Sequence, residues 1–213
     1  LKSLDLSRNT ALKELDCGFN PLTALDVSGN TALTSLNCCG SEQLTSINAR
    51  DCTALTKLIC RENRLTGLDV SGCTALTELR CSGNQLESLD VSSCTALTEL
   101  SCANNRLTSL DISGCTALDA LLCQSNQLSS LDVSKNTTLR NLHCFNNQFT
   151  SLDVSGCNAL YYFTCYGNQL TALDVSKNTA LSGLNCSDNQ LTSLDLSKNT
   201  ALTYLVCYSN KLT

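Results

Sequence analysis

The stretch Leu76 to Ala96, LTELRCSGNQLESLDVSSCTA, decides the fold, because the same 21-residue phrase recurs along the whole chain. The cysteine after its second leucine marks the register: Cys17, Cys38, Cys60, Cys81, Cys102, Cys123, Cys144, Cys165, Cys186 and Cys207. The spacing is 21 residues throughout, apart from one step of 22 between Cys38 and Cys60. A repeat this short cannot bury a hydrophobic face alone, so the copies must stack into a solenoid. One elongated array spanning residues 1–213 is expected, with no internal domain boundary. Leu1 already falls inside a repeat and Thr213 inside another, without polar capping sequence, which suggests a piece of a longer chain.

Each unit holds two versions of one phrase, LxxLxCxxNxL and LxxLDVSxNTA. In the first, Leu79 and Cys81 alternate with Glu78 and Arg80, the period of a half-buried strand. In the second, Leu89 and Val91 alternate with Asp90 and Ser92. Two short strands per coil follow, giving two parallel sheets with rungs at ~4.8 Å and little or no helix. Asn63, Asn84, Asn105, Asn126, Asn147, Asn168, Asn189 and Asn210 follow the first strand, where an inward amide can satisfy backbone groups at the bend. After the second strand the matching position alternates between Asn (Asn9, Asn30, Asn136, Asn178, Asn199) and Cys (Cys52, Cys73, Cys94, Cys115, Cys157), so a small donor suffices there.

Composition excludes several functions. A net charge of -5 and a pI near 4.8 oppose nonspecific nucleic-acid binding. No apolar run approaches the ~20 residues of a membrane-spanning helix, so no membrane insertion by this segment is expected. No nucleophile, base and orienting group converge, His143 is the one histidine, and no Gly-rich phosphate loop occurs, so no catalysis and no cofactor are expected.

The LxxLxCxxNxL segment, recurring ten times, resembles the regular segment of leucine-rich repeats. With the nested LDVS phrase it is similar to a 21-residue bacterial class found in surface proteins of gut anaerobes. The resemblance implies a right-handed, leucine-rich repeat solenoid of about ten coils, extracellular or on the surface of a bacterium, that binds proteins or other macromolecules in adhesion. It implies no catalytic residue. The coil from Leu33 to Ala54 departs from the pattern: Ser41 replaces the ladder Asn, Asn48-Ala49-Arg50 replaces Asp-Val-Ser, and a bulge is expected around Cys39 to Gln43.

Sixteen cysteines would ordinarily suggest disulfides or metal sites. Ten of them occupy an inward strand position, and in-register parallel strands aim both Cβ atoms the same way, which suits disulfide geometry poorly. Buried free thiols are expected, and no metal site, since no CxxC pair occurs. Cys39 is the exception, outward in the irregular coil and the first candidate for a reactive thiol. The Asp row (Asp5, Asp26, Asp69 and onward) reads as a solvated, hydrogen-bonded edge, and the Thr rows as hydroxyls stacked along strands.

Variation concentrates on the outward residues of the first strand. Glu14 and Asp16 give way to Lys57, Ile59 and Arg61, then Glu78 and Arg80, then Asn141, His143 and Phe145. The series then turns aromatic with Tyr162, Tyr166, Tyr204 and Tyr208. A fixed scaffold with one changing surface is how repeat proteins build a tailored interface. Phe145 and Tyr166 should stack on neighbouring rungs, with Tyr162 one strand position away and His143 beside it. The candidate ligand-binding residues are therefore His143, Phe145, Tyr162, Tyr166, Tyr204 and Tyr208, facing a protein or glycoprotein, with peptide and glycan both compatible. The alternative is a structural spacer or stalk. The chain should be monomeric apart from end-to-end contacts of its exposed terminal coils.

Overall fold

The computed structural model describes all residues, 1–213. Thirteen three-residue strands form and no helix: β1 (Glu14–Asp16), β2 (Ala24–Asp26), β3 (Ser35–Asn37), β4 (Ser46–Asn48), β5 (Lys57–Ile59), β6 (Gly67–Asp69), β7 (Glu78–Arg80), β8 (Glu99–Ser101), β9 (Ala120–Leu122), β10 (Asn141–His143), β11 (Tyr162–Thr164), β12 (Gly183–Asn185) and β13 (Tyr204–Val206). Accordingly, no helix is long and apolar enough to cross a membrane. Ten strands make one parallel sheet, in the order β1-β3-β5-β7-β8-β9-β10-β11-β12-β13, and three make a second, β2-β4-β6. The chain is a parallel β-solenoid, as the repeat required.

Register follows the sequence period. Leu15 pairs with Leu36, Leu36 with Leu58 and Leu58 with Leu79, so the only 22-residue step falls between β3 and β5. The second sheet takes the same extra residue between β2 and β4, where Leu25 meets Ile47. The insertion is thus absorbed in the turn between Asn37 and Ser46, where the bulge was expected, and every leucine keeps its inward face. There Ser41 is buried and its N–H donates to Asn63 Oδ1 at 2.7 Å.

The two sheets are unequal. Beyond Asp69 the LDVS legs stay extended but form no strand ladder. In each of them the Asp carboxylate accepts the N–H of the serine two residues on, as at Asp90 and Ser92 (2.9 Å), the same turn that Asp26 and Asp69 close in the paired legs. The unpaired legs are exposed, so their remaining backbone groups meet water and need no neighbour.

One core of 55 residues runs the length of the stack, built of Leu, Val and Cys columns, with Phe149 and Phe163 replacing leucines at no exposure. All sixteen cysteines are free, fourteen of them buried. Burial pushes these thiols up, to about 12 at Cys102 and about 11 at Cys157, so they stay protonated and inert. The two Asn columns differ in kind. Asn126 Nδ2 donates to the carbonyls of Cys102 (3.1 Å) and Cys123 (3.0 Å), while its Oδ1 accepts the Leu107 N–H (3.0 Å). In the second column Asn178 Nδ2 reaches Val154 O (3.0 Å) and Cys157 O (2.8 Å), but its Oδ1 has no partner. Cysteine fills the same role: Cys115 Sγ lies 3.6 Å from both Val91 O and Cys94 O. A thiol donor substitutes there because only a donor is needed.

Candidate functional site

The long sheet presents three outward columns: the first strand residue, the third, and the residue after the ladder cysteine. A fourth position follows in every coil with positive φ, from Phe19 (φ 53) through Gly40, Glu62, Gly83 and Asn104 to Ser209. Its N–H still donates across to the next coil, as Asn146 to Tyr166 O at 2.9 Å, so the ladder continues through the bend. Sequence reasoning did not find this column, because Phe, Glu, Asn, Ser and Asp share it; the signal was Gly40, Gly83 and Gly167 in one register. Left-handed geometry strains a bulky residue by about 1 kcal/mol, so Phe19 stands out at 83% exposed. Its ring rests on Gly40, where a Cβ would lie 2.6 Å from Phe19 Cε1.

The first half of the face is charged and self-neutralising. Lys57 Nζ meets Glu78 (3.0 Å), and Arg80 Nε meets Glu78 (2.7 Å) and Glu99 (2.9 Å). All four side chains remain partly solvated, so this chain stabilises little and reads as a satisfied surface. Arg140 and Asp119 approach only to 4.0 Å.

From β10 onward the face changes character. None of the outward residues at 141, 143, 145, 162, 164, 166, 183, 185, 187, 204, 206 and 208 is charged. Phe145 and Tyr166 stack at 4.3 Å between ring centroids with an 11° tilt, as in-register rungs dictate. Tyr162 is not beside them. Outward residues alternate along a strand, so Tyr162 and Tyr166 stand two outward positions apart, with Thr164 between. Tyr162 makes an edge contact with Tyr161 instead (4.8 Å, 84°) and leans over Gly183, where a Cβ would lie 2.6 Å from its Cδ1. Tyr204 and Tyr208 continue the two flanks in the last rung at 59% and 64% exposed. Between the flanks run His143, Thr164 and Asn185, all half-buried and in register. His143 Nδ1 is 2.8 Å from Thr164 Oγ1, and burial lowers the imidazole pKa, favouring the neutral ring. The six candidate residues thus fall on one surface, as two aromatic flanks across a polar floor rather than one cluster.

The other rows are structural. Thr56 Oγ1 donates to Thr34 O (2.9 Å) and Thr77 Oγ1 to Thr56 O (3.0 Å), tying coils together. Each Asp of the LDVS row closes its own turn, and the serine N–H holds its carboxyl below the usual range, as at Asp111 and Asp153. Cys39 is half-exposed beside Phe19, Gly40, Arg61 and Glu62.

Compared with protein families, residues 53–93 match the model described as leucine-rich repeats in two copies. That segment carries leucine-rich repeats. Among solved structures, the functional domain of InlJ from Listeria monocytogenes, described as including a cysteine ladder, is 37% identical with a TM-score of 0.76, over 98% of this chain and 51% of that one. The internalin inlF from the same species is 25% identical with a TM-score of 0.88, over 98% of this chain and 64% of that one. A leucine-rich repeat protein of Leptospira interrogans, 21% identical with a TM-score of 0.76 over 100% of this chain and 71% of that one, shares the fold. The chain spans between half and two thirds of the internalin chains it matches. Comparison with curated proteins gave no match. Leucine-rich repeats are in general noncatalytic recognition modules, and no catalytic family is indicated.

Proposed function

We propose that this chain is a noncatalytic recognition module that binds a protein or glycoprotein through the outward face of the LxxLxC sheet. One observation carries the reading: that face varies rung by rung, from an ion-pair network at Lys57 to Glu99 to the stacked Phe145 and Tyr166, whereas the LDVS face repeats one Asp-capped turn. A varied surface on one face of a fixed stack can be matched to a partner and exclude water from aromatic contacts. The ligand residues are His143, Phe145, Tyr162, Tyr166, Tyr204 and Tyr208. The site is a bacterial cell surface, an adhesive setting supported by the internalin likeness and by the nested 21-residue phrase similar to surface proteins of gut anaerobes.

The test is binding of the 213-residue chain to arrayed host extracellular proteins and glycans, beside a Phe145→Ala, Tyr162→Ala, Tyr166→Ala variant whose circular dichroism matches the parent. A specific hit lost in the variant supports the assignment. A hit that survives moves the site away from this patch, and silence across the array favours a spacer.

A further inference from the structure

The aromatic half of the face has the form and chemistry of a groove. Its flanks are Tyr162 and Tyr204 on one side and Phe145, Tyr166 and Tyr208 on the other, and its floor is the in-register row His143, Thr164 and Asn185. The floor is half-buried, as are Phe145 and Tyr166, while Tyr162, Tyr204 and Tyr208 stand exposed, and the rows run across the strands, along the stack. An occupant lying in it meets a fresh polar side chain at every ~4.8 Å step.

We infer that this groove takes a neutral, extended oligosaccharide, with sugar faces on the tyrosine rings and sugar hydroxyls on the floor. This rests on the reading of the LxxLxC face as the recognition surface. Three observations favour a sugar chain over a peptide. First, the three outward strand columns of the four rungs from β10 to β13 carry no charged residue, in contrast to Glu14, Asp16, Lys57, Glu78, Arg80 and Glu99 earlier on the same face, and the one carboxylate in the bend column beside them, Asp188, disfavours an acidic ligand. Second, the floor groups match a hydroxyl, which both donates and accepts. Asn185 Oδ1 is occupied by the Ser187 N–H (3.1 Å) and hydroxyl (2.8 Å), which fixes the amide and leaves Nδ2 to donate outward. The Thr164 contact likewise fixes His143 through Nδ1 and leaves Nε2 for a ligand. Third, a peptide gains most on a sheet by adding to an exposed strand edge, and a ligand crossing the sheet face meets side chains only. Gly183 matters because a Cβ there would meet the Cδ1–Cε1 edge of the Tyr162 ring at 2.6 and 2.9 Å, so glycine leaves the ring room over the next rung.

The test is calorimetric titration of the full chain with neutral β-linked hexasaccharides of glucose and of N-acetylglucosamine, beside sialylated and sulfated oligosaccharides and glycan-free host ectodomains. The expected result is saturable binding of a neutral hexasaccharide. It should weaken about tenfold or more in Tyr162→Ala and in Tyr166→Ala, the size of a hot-spot truncation. Tyr162→Phe and Tyr166→Phe, which keep the ring, should retain most of it. Absence of binding by every neutral hexasaccharide, preference for the acidic sugars, or binding indifferent to both alanine variants would overturn the inference. Tyrosine-dependent binding of glycan-free ectodomains without sugar binding would also overturn it, while leaving the recognition surface itself in place.

Discussion

Replacing Asn126 by Ala tests the claim that the two asparagine columns hold the stack in different ways. The change deletes two donors and one acceptor at once, orphaning the buried Leu107 N–H and leaving Cys102 O and Cys123 O with one amide donor each, from Asn105 and Asn147. The orphaned N–H costs about 1–3 kcal/mol and each lost carbonyl bond about 0.5–1.5 kcal/mol, so the sum is about 2–5 kcal/mol, allowing for partial relaxation. Asn178→Cys is the counterpart. It trades two amide donors, at 3.0 and 2.8 Å, for one thiol donor of the kind that Cys115 and Cys157 already supply, and removes an oxygen that lacked any partner. Its net change should stay within about 1 kcal/mol. Urea unfolding followed by far-ultraviolet circular dichroism, with reductant present, reads the difference in midpoint. Hydrogen exchange at the Leu107 amide reads it locally, which matters because long repeat arrays can open in parts. Asn126→Ala should lower the midpoint strongly and unprotect Leu107. Equal losses in the two variants, or a larger loss for Asn178→Cys, would refute the distinction between a donor-only column and a donor-acceptor column.

Three further predictions follow from the same packing. Treatment of the native chain with N-ethylmaleimide should label Cys39 and Cys207 and spare the fourteen buried thiols until denaturant is added; mass spectrometry showing prompt labelling of Cys102 or Cys144 would contradict the ladder's burial. The nine LDVS or equivalent aspartates, each held below its ordinary pKa by the N–H and hydroxyl of its serine, give stability that is present above about pH 4 and lost as pH falls through the folded values, since the unfolded chain binds protons first. Thermal melts should therefore fall below pH 4, and Asp111→Asn should flatten part of that slope; a melt unchanged between pH 6 and pH 3 would remove the aspartates from the account. Gly183→Ala should leave the melting temperature nearly unchanged yet push the Tyr162 ring off its seat, seen as a shift of its ring resonances. Unaltered Tyr162 signals would show that the ring does not rest there.

Most of the fold was legible because the repeat states it ten times. The alternation at Leu79 and Cys81 gave inward and outward faces, the fixed interval gave the register, and the irregular stretch at Cys39 to Gln43 marked where an extra residue would be absorbed. The stack of Phe145 on Tyr166 followed from the same interval, since residues 21 apart must be neighbours. The placement of Tyr162 did not, because counting strand positions without separating inward from outward residues put it one step too close to Phe145.

Sequence by itself determined which residues repeat, which vary and which share a column, because a period is a property of the chain alone. Tertiary structure decided what the columns do. Only the hydrogen bonds between coils show that the LxxLxC sheet is continuous while the LDVS legs form no ladder past Asp69. Only they separate Asn126, which both gives and receives, from Asn178, which only gives. Only three-dimensional packing shows that Tyr162 lies across Gly183, because the space above a glycine belongs to the coil beside it rather than to the residues on either side in sequence.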